Sequence, residues 1–266
     1  MSMHCFELNA HPALVGVIHL PPLPGAPTLG PAIQQIQEQA CHDARILVDG
    51  GVNGIILENF GDAPFAAGEV EPATVAYMTR IAIAVRNVAL HVELGINVLR
   101  NDASASLAIA AASDASFIRV NVHTGTMVTD QGVITGQARQ TLLERRRYQL
   151  STNIAADVHV KHANPLGTPS LVQCAKDTVT RGHAKAIIIT GSGTGQPVDS
   201  QELRALKTSL PTTPIWIGSG LNPKNAHNYA GLFDTAIVGT YLHRNGDITA
   251  PIDAKRVAAM RRSLGV

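Results

Sequence analysis

A charged trio at alternate positions offers the clearest candidate chemistry: Asp157, His159 and Lys161. Alternate residues of a β-strand point to the same face, so a strand predicted over residues 154–162 presents all three side chains together. A carboxylate, an imidazole and an amine in one place can act as an acid, a base or a Schiff-base nucleophile. The alternative is a buried ion network that only fills the interior of the protein.

A second polar face lies on the strand predicted over residues 117–123, where Arg119, Asn121 and His123 alternate. Burying such side chains under helices without partners is costly, so we expect both polar faces to point into a solvent-accessible site. Glu58 lies at the end of another predicted strand. The predicted catalytic residues are Glu58, Asn121, Asp157, His159 and Lys161.

Binding of a divalent metal ion is an alternative role for some of these residues, since carboxylates and imidazoles are metal ligands. The ligands would be Glu58, His19, Asp157 and His159, but their spacing in the sequence does not support a metal site. We therefore predict no metal residues and leave any cofactor undefined. His19 taken alone is equally consistent with a buried core histidine.

Three glycine-rich segments predict a phosphate-binding site. They follow the last three predicted strands: TGSGTG at 190–195, GSG at 218–220 and GT at 239–240. Glycine lets backbone N–H groups approach a ligand closely. Asn222 and Pro223 also suggest the capped start of a helix, whose N-terminus favours an anion. A tight turn explains one such segment, but three together favour phosphate. The predicted substrate-binding residues are His19, Asn59, Asn97, Arg119, His123, Thr190, Gly191, Gly193, Thr194, Gly218, Ser219, Gly220, Gly239 and Thr240.

Eight short apolar segments predict the strands that would position these residues. They are rich in Val and Ile and bounded by Gly, Pro or Asp, which is typical of parallel strands buried on both faces. They span residues 13–20, 54–60, 90–96, 117–123, 154–162, 186–191, 214–220 and 235–242. Segments of helical composition lie between them, at 31–49, 72–87, 102–112, 137–150, 169–181, 200–209, 222–230 and 251–264.

The eightfold alternation of strand and helix predicts a single α/β domain over residues 1–266. The fold predicted for this domain is a TIM (β/α)₈ barrel. A doubly wound open sheet is the rival fold. Its first strand is usually followed by a glycine-rich dinucleotide-binding turn, whereas residues 21–25 here read PPLPG. In a barrel, ligand-binding groups lie at the C-terminal ends of the strands, which is where the polar residues of this chain fall.

Two loops depart from the repeat. Residues 21–31 hold five prolines and are predicted to arch over the barrel mouth in one conformation. Residues 127–135 predict a hairpin that turns at DQG. Three roles are open for this hairpin: a lid, an arm that reaches another subunit, or a surface hairpin without a role. We expect a homo-oligomer, since most such assemblies are symmetric.

Composition limits the class of partner. The 266-residue chain has a formal net charge of +1, with 45% hydrophobic and 15% charged residues. A chain so close to neutral lacks the basic face that nucleic acid requires. Its three cysteines are far apart, which favours free thiols in a reducing compartment. We find no secretory signal and no membrane span, so we expect a cytoplasmic protein and leave peripheral membrane association open.

Segments in order along nearly the whole chain carry a family resemblance: VGVIHLPPLPGAP (15–27), GIILENFGDAPF (54–65), GINVLRND (95–102), FIRVNVHTGTMVTDQGVITG (117–136), ADVHVKHANPL (156–166), IIITGSGTGQPVD (187–199), IWIGSGLNPKNA (215–226) and AIVGTYLHRNG (236–246). They resemble the BtpA family, which includes SgcQ-like members. The resemblance implies a TIM barrel. The family takes its name from a cyanobacterial protein associated with photosystem I biogenesis at the thylakoid surface, while other members look like sugar- or nucleotide-related enzymes. It supplies no catalytic residues to carry over.

Two functions remain as hypotheses. The first is an enzyme of the lyase or isomerase type, less readily a hydrolase, that acts on a phosphorylated small molecule such as a sugar phosphate or a nucleotide derivative. The glycines would hold the phosphate, and the catalytic residues would move protons at the reacting carbon. The second is a non-catalytic accessory factor for photosystem I or membrane-complex biogenesis. The density of charged groups at the strand ends favours the enzyme.

Overall fold

Eight parallel strands close into a barrel in the computed structural model, which describes residues 5–7, 12–191 and 198–265. The strands of the described residues are numbered along the chain as β1 (Ala13–His19), β2 (Gly54–Glu58), β3 (Glu93–Asn97), β4 (Phe117–Val120), β5 (Thr126–Thr129), β6 (Gly132–Thr135), β7 (Asn153–Val158), β8 (Ala163–Pro165), β9 (Ala186–Ile189), β10 (Ile215–Ile217) and β11 (Thr235–Val238). All except β5, β6 and β8 belong to the barrel, which closes where β11 pairs with β1. The predicted TIM barrel and its eight strands are confirmed.

Helices pack around the barrel between successive strands. They are α1 (Ile33–Asp49), α2 (Pro72–Val88), α3 (Ala103–Ser113), α4 (Ala138–Arg147), α5 (Leu171–Thr180), α6 (Ser200–Ser209) and α7 (Ala254–Ser263). Their apolar residues form one continuous cluster with the outward-facing residues of the strands. Across the described ranges, no helix combines the length and apolarity that crossing a membrane would need.

The helix predicted over residues 222–230 is wrong, because only a 3₁₀ turn forms there, at Ala226–Tyr229. The side chain of Asn222 accepts a hydrogen bond from the Lys224 N–H at 2.9 Å. The backbone N–H of Asn222 donates to the Asn225 side chain at 2.8 Å. Such local side-chain bonds compete with helical hydrogen bonding. Asn222 therefore caps a turn and does not begin an α-helix.

The barrel interior is packed and is closed at the N-terminal ends of its strands. The rings of Phe6, Phe117 and Trp216 contact one another with centroids 4.8–5.5 Å apart. Cys5, next to Phe6, bonds to the first residues of two strands: its N–H donates to Glu93, and its carbonyl accepts from Thr235. Since this end is filled, the opposite, C-terminal end is the open mouth of the barrel.

Two strands end earlier than the sequence predicts, which overturns the shared-face prediction. β4 ends at Val120 and β7 at Val158, where their parallel ladders stop. His159 then adopts a left-handed conformation with φ of 52°, so the side-chain alternation of an extended strand ends there. Asp157, His159 and Lys161 therefore do not share one strand face, and neither do Arg119, Asn121 and His123, of which only Arg119 lies within β4.

The hairpin predicted after the fourth barrel strand is confirmed. β5 and β6 pair in antiparallel fashion, and the short β8 adds a third strand on the other side of β5. Met127 and Ile134 point inward and pack with Val122 and Val160. This small sheet therefore rests on the barrel beside its mouth.

Candidate functional site

A cavity of about 660 Å³ opens at the mouth of the barrel, at the C-terminal ends of the strands. Its walls come from the ends of β1, β2, β4, β10 and β11 and the loops that follow them. It therefore lies where barrel enzymes bind their ligands. The predicted site residues that line it are His19, Glu58, Arg119, Lys161, Gly218, Ser219, Gly220, Gly239 and Thr240.

The loop after β10 forms one end of this cavity. In the described part of the chain, the N–H groups of Ser219, Gly220 and Leu221 have no backbone acceptor. Gly220 has a φ of 76°, a conformation that favours glycine. A Cβ on Gly218 would lie 2.5 Å from a methyl group of Ile188, so that position admits only glycine without a shift. Ser219, Gly220 and Leu221 also line the cavity, so its wall contains backbone donors that no backbone acceptor of the described residues uses.

The predicted glycine-rich segment after β9 is described only in part. Its Gly191 N–H donates to the Ser219 hydroxyl at 3.2 Å, which ties this segment to the loop after β10. Thr190 accepts a hydrogen bond from the Lys161 N–H at 2.9 Å. Gly193 and Thr194 lie outside the described residues.

Positive charge predominates among the described residues that line the cavity. Four basic side chains face a single carboxylate, that of Glu58. Lys224 and Arg256 lie at the glycine-rich end, and the Arg256 guanidinium stacks over the ring of Tyr241 at 4.3 Å. The cavity therefore suits an anionic ligand. The four basic residues are Arg119, Lys161, Lys224 and Arg256.

Arg119 is fixed by a bidentate ion pair with Asp157. Two guanidinium nitrogens lie 2.9 Å from the two carboxylate oxygens, and the Asn121 amide donates to the same carboxylate at 3.2 Å. Burial alone would lower the pKa of Arg119, but the Asp157 carboxylate outweighs it and raises that pKa. The Asp157 side chain has no solvent exposure. It holds Arg119 in place from the neighbouring strand β7 and does not line the main cavity.

Glu58 lies at the centre of a polar cluster at the end of β2. One carboxylate oxygen accepts a 2.6 Å hydrogen bond from the Asn97 amide at the end of β3. An Arg119 guanidinium nitrogen lies 3.9 Å from this carboxylate, and so does the Nε2 atom of His19. Glu58 is thereby oriented by neighbours on three different strands.

Lys161 brings its side-chain amine to the cavity. Its backbone is fixed on both sides, since its N–H bonds to Thr190 and its carbonyl accepts from the Arg100 guanidinium at 2.8 Å. Nζ has no ion-pair partner within 4.0 Å among the described residues. Burial, followed by the charge of Arg119, lowers the pKa of Lys161. A lysine in this state can act as a base or a nucleophile.

Other predicted site residues lie away from the main cavity. Asn121, Asp157 and His159 line a separate cavity of about 190 Å³, and burial lowers the pKa of His159. Nε2 of His123 lies 2.9 Å from the Gly182 carbonyl. Asn59 accepts from the Leu99 N–H at 2.7 Å and donates to Asp62. These contacts attach the segments that follow β2 and β4 to their neighbours.

Four residues of the site escaped the sequence prediction: Phe60, Lys224, His243 and Arg256. Lys224 directly follows the Asn222-Pro223 pair, and Phe60 follows Asn59, so proximity to predicted residues was the available signal. His243 and Arg256 carry no local pattern, since only the closing of the barrel brings them to β1 and β11. Within the described ranges, no group of three or more His, Cys, Asp or Glu residues is arranged to hold a metal ion.

Comparison with solved structures confirms the fold. Phosphoribosyl anthranilate isomerase from Thermus thermophilus matches with a TM-score of 0.57 and 10% identity, covering 95% of this chain and 98% of that one. KGPDC from Streptococcus mutans matches with a TM-score of 0.60 and 12% identity, covering 96% and 98%. At such identities the likeness extends to the barrel architecture alone.

Comparison of sequences gives the family. The chain is 45% identical to photosystem I biogenesis protein BtpA of Synechocystis over 94% of its length and 87% of that protein. It is 42% identical to a Pyrococcus abyssi protein, over 97% and 98%. A mitochondrial protein of Caenorhabditis elegans is 30% identical over 94% and 92%. The family model matches residues 10–264, and the chain belongs to the BtpA family.

Proposed function

We propose that this protein is an enzyme that acts on a phosphorylated small molecule bound at the mouth of the barrel. The observation that carries the proposal is the main cavity itself, in which four basic side chains and one carboxylate adjoin a loop of backbone N–H donors. A phosphate group needs both positive charge and hydrogen-bond donors. Barrel enzymes often bind phosphate at the loops after the seventh and eighth strands, which here are β10 and β11.

The roles divide between the two ends of the cavity. The loop at 219–221, with Lys224 and Arg256, binds the phosphate. Lys161 and Glu58 face the rest of the ligand at the other end and move protons there, which fits lyase or isomerase chemistry better than hydrolysis. Asp157 and Asn121 act by holding Arg119. His159, from its separate cavity, has no contact with this ligand in the proposal.

Thermal unfolding with phosphorylated ligands tests the proposal. The panel contains inorganic phosphate, pentose and hexose phosphates and nucleoside monophosphates. A ligand present at 100 times its Kd stabilises the folded protein by about 2.7 kcal/mol, so binding is visible as a higher Tm. We expect at least one phosphorylated compound to raise the Tm and its unphosphorylated parent to have a much smaller effect.

Two matched variants locate the binding. Lys224→Gln removes a charge from the main cavity and should weaken phosphate binding about three- to tenfold, as expected for one partly exposed contact. Lys185→Gln removes an exposed charge just before β9, at the closed end of the barrel, and should leave binding unchanged. Equal binding by both variants, or no Tm change with any phosphorylated compound, contradicts the proposal.

The second candidate function is an accessory factor in photosystem I or membrane-complex biogenesis, without catalysis. It is favoured by the name of the Synechocystis relative. Relatives in Pyrococcus abyssi and Caenorhabditis elegans, which do not photosynthesise, favour a more general activity. Co-fractionation with membranes together with a negative ligand panel would support the accessory role; a phosphorylated ligand that is turned over would rule it out as the sole function.

A homo-oligomer is also part of the proposal. Val128 and Val133 are cross-strand partners on the hairpin sheet, and their side chains remain 42% and 62% exposed. Exposed apolar side chains grouped on one face are typical of contact surfaces. A second copy of this chain, joined through the same sheet, would cover them symmetrically.

A further inference from the structure

Two histidines from opposite ends of the chain meet at the wall of the main cavity. His19 is the last residue of β1, and His243 follows the 3₁₀ turn after β11. The Nδ1 atom of His19 lies 3.3 Å from the Nε2 atom of His243. The Nδ1 atom of His243 lies 2.6 Å from the Ala250 carbonyl oxygen. The three groups thus form one hydrogen-bonded chain.

The Ala250 carbonyl, at the end of this series of hydrogen bonds, determines which atom donates in each of them. A carbonyl oxygen only accepts, so Nδ1 of His243 must carry a hydrogen. His243 is 2% exposed, and no carboxylate oxygen lies within 4.0 Å of its ring nitrogens among the described residues; Asp43 and Asp247 face it from farther away. A neutral imidazole has one N–H. In the neutral form of His243, Nε2 is therefore an acceptor, and Nδ1 of His19 is the donor.

The remaining nitrogen of His19 is then an acceptor to which no donor of the described residues is bonded. Its Nε2 atom lies 3.9 Å from the Glu58 carboxylate, which is too far for a hydrogen bond, and His19 lines the main cavity. The charged or titratable groups that face this ring are Glu58, His243, Lys161 and Arg119. Burial lowers the pKa of His19 to about 4 despite the opposing charge of Glu58. The ring is neutral at pH 7.

The surroundings hold the His19 ring in one orientation. The ring of Phe60 packs edge-on against it with centroids 5.0 Å apart. A Cβ on Gly239 would lie 2.5 Å from Cε1 of His19, so the glycine leaves the space that the ring occupies. Packing therefore fixes the plane of the ring, and the contact with His243 places Nδ1 toward that residue.

We infer that His243 is a positioning residue, which holds His19 in its Nδ1–H tautomer so that Nε2 accepts a hydrogen bond from a hydroxyl group of the ligand. A site built to bond a hydroxyl discriminates against an analogue that lacks it, because a buried polar group is then left unpaired. The identity of the ligand rests on the proposed function, whereas the tautomer does not.

Nitrogen-15 NMR of histidine-labelled protein tests this inference without any ligand. Long-range proton–nitrogen correlations distinguish the two neutral tautomers, and the His19→Gln variant assigns the signals of His19. We expect the wild-type protein at pH 7 to show His19 with hydrogen on Nδ1. His19 should stay neutral as the pH falls from 7 to 5.

Three variants separate the tautomer effect from a general structural one. His243→Phe fills similar space but cannot accept, so His19 should change to the Nε2–H tautomer. His243→Gln keeps an acceptor for His19 and a donor for Ala250, so it should retain the Nδ1–H tautomer. His91→Phe, at an exposed position just before β3, should change nothing.

The inference is overturned if wild-type His19 carries hydrogen on Nε2, or if it is an imidazolium at pH 7. It is also overturned if His19 keeps its tautomer in His243→Phe. Should His243→Phe fail to fold, the wild-type spectrum and His243→Gln still decide the matter. A ligand panel without a phosphorylated binder, combined with the expected tautomer, would contradict the proposed function and leave the role of His243 in fixing the tautomer intact.

Discussion

Lys161 and Arg119 line the same cavity, yet they differ in how their charges are compensated. Arg119 is paired with the Asp157 carboxylate through two hydrogen bonds, whereas the Lys161 ammonium has no ion-pair partner in the described part of the chain. Burial lowers the pKa of Lys161, while Asp157 raises that of Arg119. The buried arginine is thus structurally fixed, and the lysine is the residue whose charge is available to a ligand.

This difference predicts that Lys161→Met stabilises the folded protein. Since its pKa is lowered on folding, the ammonium form is disfavoured in the folded state, and methionine of similar length removes that penalty. We expect the free energy of unfolding in urea to rise by about 0.5–2 kcal/mol at pH 7. The gain should shrink as the pH approaches 10.5, the ordinary pKa of lysine, because the wild-type amine then becomes neutral in both states.

The control for this prediction is Lys185→Met, which removes an exposed lysine at the closed end of the barrel. It should change stability by less than about 0.5 kcal/mol. Lys161→Met should also abolish turnover of any phosphorylated substrate. A destabilised Lys161→Met protein would show that the ammonium has a structural partner and would contradict this account.

For the ion pair of Arg119 and Asp157 we expect the opposite effect, a lower free energy of unfolding when one charge is removed. Asp157→Leu leaves a buried guanidinium without its carboxylate, and Arg119→Met leaves the buried carboxylate without its guanidinium; breaking a buried pair from one side costs about 3–5 kcal/mol. The double variant Arg119→Met with Asp157→Leu removes both charges and should recover most of that loss. Urea unfolding of the two single variants and the double variant measures the coupling. Additive losses would contradict the ion-pair assignment.

At the scale of elements, the first turn of α3 is held by the Asp102 side chain. One carboxylate oxygen accepts from the Ala105 N–H at 2.8 Å, and the other accepts from the Val70 N–H at 2.9 Å. The first contact caps the helix, and the second attaches the loop that precedes α2. Asp102 therefore connects a helix start to a distant loop beside the barrel mouth.

Asp102→Ala should destabilise the protein by about 1–2 kcal/mol, since it removes a helix cap and a second backbone contact. Asp253→Ala is the matched control, because the Asp253 side chain caps α7 through the Lys255 and Arg256 N–H groups and makes no bond to a distant loop among the described residues. Urea unfolding compares them, and Asp102→Ala should lose more. Equal losses would mean that the Val70 contact adds nothing.

The strands and helices could be predicted from the sequence because their signals are local. Short Val- and Ile-rich segments between helical stretches identify all eight barrel strands. Where the strands end could not be predicted in the same way. β7 stops where its pairing with β4 and β9 stops, and the left-handed His159 that follows looks like part of the strand in the sequence.

The site was predictable only where it follows strand ends. Glu58, Arg119 and Lys161 reach the cavity from the C-terminal side of the barrel, as the general rule for this fold predicts. His243 meets His19 across 224 positions of sequence. No spacing rule relates residues that far apart, so this contact could not be predicted from the sequence and is visible only in the closed barrel.

At the scale of the whole molecule, the hairpin sheet is where one copy could meet another. Alternation along β5 and β6 turns Met127 and Ile134 toward the barrel and leaves Val128 and Val133 outward. Leu166, which follows β8, is also exposed, at 63%. The outward face of the sheet is thus apolar at three nearby positions, which is unusual for a surface that meets only water.

This face predicts that replacing both valines weakens self-association. In Val128→Thr with Val133→Thr, the β-branched shape that suits a strand is kept and the apolar contact is lost. Sedimentation velocity should show an oligomer for the wild-type protein and a smaller species for the variant at the same concentration. Leu90→Thr, an exposed leucine just before β3, should leave the oligomer unchanged. A wild-type protein that sediments as a monomer at every concentration would contradict the homo-oligomer, and the valines would then be surface residues of an isolated barrel.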